Sequence, residues 1–558
     1  MTALYDVDGV PALHAPGTGP MRAGLIFRVG FADEPLARHG ITHLLEHLAL
    51  HSLGMTDHHF NGTTGVEHTS FHLTGTPDEV ATFLTRVSTA LHDLPAHRLP
   101  VEKDLLRAEA NGRGIDPKPL WRHGAIGYGT VSYPEWGLPA ITADDLRTWA
   151  ARYFTRDNAV LWVAGDRIPA GLRLALPPGR REPAPDPSNA LPVTPAWFSG
   201  GDSVVAWDAL VARGAATEVF ADVLERTMFR QMRQEAGLSY TVGAHWRPIG
   251  SGQALVTAVA DALPEKSGAA LGEFLDVLAT LRAGRIHPDD LSTVVRQRAQ
   301  ALWQAEQSGE RLEAVARDLL AGLPVRSAEA EFRVYEAVTL PEIVAVAEAA
   351  SANGLLMVPD GSYGGWAGFT HAPTASDTLV TGTAYESLND PAERLLVGPD
   401  GISMIAPDAR ATVRYAACSI MRAWPDGARL LVGTDGIRIM VEPDLYRAGD
   451  DAIGWIDRAV PAHLRVDQPP RDPSALPTPA PARPAPASAS ASASASASAK
   501  RFNPKTQRTL SYVMSGISAG GVVSMQQHEP VLAALFLLLL ILVTTGGHVM
   551  RRRLRHHM

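Results

Sequence analysis

The sequence predicts an α+β protein of two repeated halves, followed by a small β-rich module, a disordered linker and an apolar tail. Three observations predict it. A helix-then-strand unit occurs twice, at Ile141 to Tyr153 with Asn158 to Asp166, and at Leu340 to Ala350 with Gly354 to Gly361. Two hairpin-like segments, Leu395 to Ile402 and Leu430 to Ile437, are near-duplicates built on Asp-Gly turns. An Ala-Ser repeat ending at Ala499 precedes the uncharged run Val531 to Met550.

Composition bounds the function. A chain of 558 residues has room for three to four domains, and its 46% hydrophobic and 20% charged residues suit sizeable cores. A net charge of −9 and a pI near 6.1 argue against a general nucleic-acid binder. Cys418 is the single cysteine, which rules out internal disulfides and cysteine-ligated zinc.

Ala23 to Gly30 reads as a strand, Phe31-Ala-Asp-Glu-Pro35 as an acidic turn, and Ile41 to Leu50 as a helix. Within that helix His43 and His47 are i and i+4, so both imidazoles leave one face a turn apart, as two zinc ligands would. Glu46 shares the face. A carboxylate there can take a proton from water whose pKa a zinc ion has lowered. This is the H-x-x-E-H order. His51 is a further i+4 step and competes on spacing as a third imidazole; His58, His59, His68 and His72 crowd the same region as surface or cleft-lining residues.

Leu99 to Ala110 reads as a second helix with Glu102 and Glu109 two turns apart on one face. Taken alone, that pair is equally a solvated helix face. Together with H-x-x-E-H it resembles the insulinase/pitrilysin (M16) family of zinc peptidases. The resemblance implies one Zn2+ held by His43, His47 and Glu109, with Glu102 supporting the site and Glu46 as general base. Phe60-Asn61-Gly62 through Phe71 resembles the family's substrate-pairing edge strand, which makes Asn61 a substrate contact. Gly62 stands where that family has alanine and Phe71 where it has tyrosine, and the glycine-rich loop before Asn61 is shortened.

Thr142 is the expected N-cap of the helix that closes this half, and the Pro-rich stretch Pro177 to Pro195 reads as a linker. In the second half Arg233-Gln-Glu-Ala-Gly237-Leu-Ser-Tyr240 resembles the family element whose arginine and tyrosine reach across to substrate; Arg233 and Tyr240 occupy those positions. A helix C-cap with an ordinary core tyrosine is the plainer reading. No H-x-x-E-H occurs in this half. The resemblance thus implies a clamshell, with a zinc-bearing domain over 1–185, a degenerate one over 190–362, and the peptide enclosed between them.

Residues 365–470 fit a small barrel of pleckstrin-homology-like type, suited to docking rather than catalysis. The Pro/Ala/Ser linker over 471–500 buries nothing and stays extended. Within the tail, 501–558, residues 531–550 are long enough to span a bilayer, and 509–525 form a candidate second span. With a single span the basic Arg551 to Arg555 puts the C-terminus in the cytoplasm and the peptidase outside. With both spans, flanked by Lys500 to Arg508 as well, a helical hairpin keeps both ends and the peptidase in the cytoplasm, and the hairpin is the favoured expectation. No basic n-region followed by an apolar core is seen at Met1 to Asp8, so no signal peptide is expected. The expected function is a membrane-tethered zinc endopeptidase acting on peptides or small unfolded chains. Its partners are peptide and membrane lipid, with no nucleic acid, and a homodimer or partner subunit is left open. The rival is a non-catalytic scaffold of the same fold, or one half of a two-subunit peptidase.

Overall fold

The computed structural model describes residues 2–17, 19–51, 59–110, 114–200, 202–407 and 409–479. His58, the Ala-Ser repeat and the expected spans 509–525 and 531–550 lie outside them. Among the described residues no helix is long and apolar enough to cross a membrane. These residues divide into two compact units, with the boundary in sequence between Ala372 and Pro373.

The first half of the first unit contains β1 (Ala3–Val7), β2 (Val10–Ala15), β3 (Met21–Phe27), α1 (Ile41–His51), β4 (His59–Thr64), β5 (Thr69–Gly75), α2 (Pro77–His92), α3 (Leu99–Ala110), α4 (Lys118–His123), α5 (Ala143–Tyr153) and β6 (Ala159–Ala164). Its six strands lie in the order β1-β2-β6-β3-β5-β4, so β4 is an edge. Every residue of β6 is buried, as a continuous apolar run should be when it pairs on both sides, parallel to β2 and antiparallel to β3. Leu44, Leu45 and Leu48 of α1, Val80, Leu84 and Val87 of α2, and Leu146 of α5 pack on Leu25, Phe27 and Leu161 of the sheet. Both α2 and α5 start on capping boxes, Thr76 with Glu79 and Thr142 with Asp145. The Pro-rich stretch is a strap rather than a free linker. Leu172, Leu174 and Leu176 just before it enter the same core, and Glu182 within it is buried and bonded by Arg152 and Arg180.

The second half repeats the plan with β7 (Ala196–Ser199), β8 (Val204–Ala212), α6 (Ala215–Met228), β9 (Val242–Ile249), β10 (Gln253–Asp261), α7 (Ser267–Arg282), α8 (Pro288–Ser308), α9 (Leu312–Leu320), α10 (Ala328–Glu336), α11 (Leu340–Ala352), β11 (Leu355–Val358) and β12 (Thr370–His371). Its strand order is β12-β7-β11-β8-β10-β9, and β11 runs parallel to β7 and antiparallel to β8, as β6 does with β2 and β3. The pairing of β12 with β7 carries this sheet to residue 371. Helix α6 follows β8 as α1 follows β3. Where α1 carries His43 and His47, α6 carries Glu218 and Asp222, also four apart, and Arg298 of α8 pairs with both, at 3.1 and 2.6 Å.

The halves exchange helices. Leu312, Val315, Ala316 and Leu320 of α9 cover the second face of the first sheet, over Leu13, Ile26, Val160 and Trp162. Reciprocally, Trp121 of α4 stacks on Phe198 of the second sheet, with centroids 4.9 Å apart. Beside it the buried Arg122 donates to Asp208 of β8 at 2.7 Å and to Asn353 at 2.9 Å.

The second unit holds β13 (Thr383–Glu386), β14 (Arg394–Val397), β15 (Gly401–Ala406), β16 (Ala409–Arg414), β17 (Cys418–Ala423), β18 (Arg429–Gly433), β19 (Arg438–Val441), α12 (Gly449–Ala459) and β20 (Arg465–Asp467). They form two four-stranded sheets, β13-β14-β15-β16 and β19-β18-β17-β20. The near-duplicate segments are the hairpins β14-β15 and β18-β19. In the second, Gly436 supplies the positive φ of 86° that its Asp-Gly turn requires.

Candidate metal centre

The acidic turn before α1 is what fixes that helix. Glu34 is buried, and its carboxylate accepts from the backbone N–H groups of Gly40 and Thr42, both at 2.8 Å, and contacts His39 Nδ1 at 2.7 Å. A carboxylate there satisfies otherwise orphaned donors and complements the positive end of the helix. Asp33, one residue earlier, pairs with the buried Arg28 and accepts from the Gly30 N–H.

So held, α1 presents His43 and His47 towards the end of α3. His43 Nε2 lies 3.8 Å and His47 Nε2 3.5 Å from Glu109 Oε2, and one ligand atom from each of the three residues lies within 4.8 Å of the others. Tetrahedral zinc with bonds near 2.05 Å places its donors about 3.3 Å apart, so the cluster needs only small movements to close on such an ion. The chemistry of the donors fits too. His43 Nδ1 is 2.7 Å from the buried Glu135 Oε1, and His47 Nδ1 is 3.4 Å from the buried Glu102 Oε2. Carboxylates at Nδ1 hold the proton there and leave the Nε2 lone pairs towards Glu109. Glu102 is itself held by Arg98 at 3.1 Å. His51 faces Glu102 at 3.9 Å and not the cluster of three.

Glu46 is buried, and Thr64 of the edge strand donates its hydroxyl to Oε2 at 2.8 Å. Gly62 explains how it fits: a Cβ at that position would stand 2.5 Å from Glu46 Oε1. The carboxylate thus occupies space that an alanine methyl would need. Asn61 is exposed on the same edge strand, in register with His72 of β5. Burial holds the His72 imidazole below its ordinary pKa, against the pull of Glu313 on α9 and of Glu46.

Arg233 and Tyr240 make a pair of their own. Arg233 lies in the π-helical stretch Phe229–Glu235 that continues α6, with its guanidinium 4.7 Å above the Tyr240 ring, and Tyr240 is 77% exposed. Neither makes a hydrogen bond or ion pair with His43, His47 or Glu109. Glu135 and Thr64 escaped the sequence reading, because each stands alone in a stretch with no periodic partner. The local Pro134-Glu135-Trp136 carries no spacing signal.

No protein-family model matches the sequence, and no curated protein does. Solved structures do match. The peptidase M16 inactive domain from Pseudomonas fluorescens aligns over 67% of this chain and 100% of its own, with TM-score 0.56 and 15% identity. A protease from Helicobacter pylori aligns over 64% and 99%, with TM-score 0.51 and 15% identity. The periplasmic protease PqqL from Escherichia coli aligns over 73% and 55%, with TM-score 0.52 and 11% identity. At these identities the likeness is one of fold. The chain therefore has the fold shared by M16 peptidases and by an M16 domain described as inactive.

Proposed function

We propose that this protein is a membrane-tethered, zinc-dependent endopeptidase that cleaves peptides or small unfolded chains held between its two halves. The observation that carries this reading is the convergence of His43, His47 and Glu109 beside the buried Glu46. Bound there, zinc would acidify water and polarise the scissile carbonyl. The chain's own residues supply the rest. Glu46, oriented by Thr64, accepts the proton of the attacking water and hands it to the leaving amine. Glu102 and Glu135 orient the imidazoles. The edge strand β4 and Asn61 offer backbone and side-chain partners to an extended peptide, and Arg233 and Tyr240 are substrate contacts from the second half.

Metal content and cleavage of a quenched peptide library test the reading on the full chain. Wild type should carry about one zinc and cut; Glu46→Gln should keep the zinc and cut nothing. Zinc without cleavage by either protein favours the scaffold or two-subunit reading, which the likeness to an inactive domain keeps in view. Absence of zinc from both rejects the ligand set. We further propose that the tail inserts as a helical hairpin with the catalytic unit in the cytoplasm. The full chain should then resist carbonate extraction from membranes while a chain ending at residue 479 is released; release of both rejects the tether.

A further inference from the structure

Strand β9 is the outer strand of the second sheet. Alternation sends Ala244 and Trp246 into the helix-covered core, and His245, Arg247 and Ile249 to the other face. Ile249 packs there with Leu255 and with Ala32 and Tyr128 of the first half. Arg247 therefore stands on the wall that the second half turns towards the first.

The charged groups that act on Arg247 and His245 come from both halves, and each already has a partner. Glu67 Oε1 accepts from the Tyr128 hydroxyl at 2.7 Å and from the Gly250 N–H at 2.8 Å. Asp208 is taken by Arg122. Asp116 holds the Lys118 ammonium at 2.8 and 2.9 Å. Among the described residues neither Arg247 nor His245 makes a side-chain hydrogen bond or ion pair. Burial brings the His245 pKa down to about 4, so at neutral pH that ring is uncharged, whereas a guanidinium keeps its charge. A guanidinium carries five donors in a planar fork that matches a carboxylate. The Arg247 side chain is partly exposed, so its unclaimed donors are within reach of an incoming acceptor.

We propose that Arg247 anchors a carboxylate of the bound peptide, either an acidic side chain or the free C-terminus, with His245 and Lys118 beside it. This rests on the peptidase reading. Its place relative to the chemistry follows from the chain, since Glu67 is three residues beyond Thr64, whose hydroxyl holds Glu46. Both residues belong to the β4–β5 hairpin, Thr64 as its last paired strand residue and Glu67 within its turn, so the anchor and the base are tied to one short segment.

Binding to the full, zinc-loaded Glu46→Gln chain tests this without turnover. The probes are fluorescein-labelled Ala/Ser decapeptides, in pairs that differ by Glu or Gln at one position, and one pair with a free or amidated C-terminus. One pair should show about tenfold tighter binding of the carboxylate, read by anisotropy, and which pair does so identifies its source. In the same background Arg247→Gln should erase the difference and Arg247→Lys keep part of it. Equal binding within every pair, or a preference that survives Arg247→Gln, overturns the proposal. A protein that prefers the carboxylate yet cleaves nothing in wild-type form keeps the anchor and loses the peptidase reading.

Discussion

Glu135 shows how a single side chain far away in sequence can shape a candidate metal centre. Its carboxylate meets His43 Nδ1 at 2.7 Å in a buried setting, and so fixes both the tautomer and the tilt of a proposed zinc ligand. Replacing it with glutamine keeps the volume and removes the charge. We expect Glu135→Gln to weaken zinc binding about 10- to 100-fold, measured by competition with a chelating dye; an unchanged affinity would show that the contact is incidental. The residues that were legible in the sequence were those with helical spacing. His43, Glu46 and His47 declare themselves within one turn, and Glu102 and Glu109 within two. Glu135 and Thr64 were not, and Gly62 stood out only as a departure from alanine, because contact with α1 across the fold, and not periodicity, gives all three their roles.

Among the elements, α4 is the least visible in the sequence and among the most consequential. Six residues leave no room for an amphipathic stripe, yet α4 places Trp121 and Arg122 against the second sheet. Removing the arginine strands Asp208, which is buried on the central strand β8. Arg122→Ala should lower stability by about 3–5 kcal/mol, and Arg122→Met combined with Asp208→Leu should recover most of it, measured by urea unfolding. Helix α5 was readable from its N-cap Thr142, and both α5 and α11 from the buried strands that follow. The π-helical turn before Gly237 was not, since an i→i+5 pattern has no residue signature. The Pro-rich stretch joins the halves without helix or strand, but proline content does not tell whether such a chain is packed, and here Glu182 pins it.

For the molecule as a whole, the interface between the halves combines apolar packing with buried polar groups, and the polar groups bear on its response to acid. His123 is 2% exposed, its Nδ1 lies 2.6 Å from the Ser188 carbonyl, and burial brings its pKa down from 6.5 to about 4. As pH falls below 6.5 the unfolded chain takes up a proton that the folded chain refuses until about pH 4. Stability contributed by this group is therefore present above pH 6.5 and is lost across that window, by on the order of 3 kcal/mol. His123→Gln, which keeps a donor for Ser188, should flatten unfolding midpoints between pH 6.5 and 4; an unchanged slope would place the acid sensitivity elsewhere.

The exchange of α4 and α9 also bears on how the chain comes to be folded as it is made. Translation delivers Leu13, Ile26, Val160 and Trp162 long before the residues of α9 that cover them. The first sheet therefore waits with one apolar face bare while some 150 further residues are added, at about 5–20 residues per second. Over those seconds the nascent chain is a client for whatever shields exposed apolar surface at the ribosome, and the emergence of Leu312 to Leu320 is the moment that need ends.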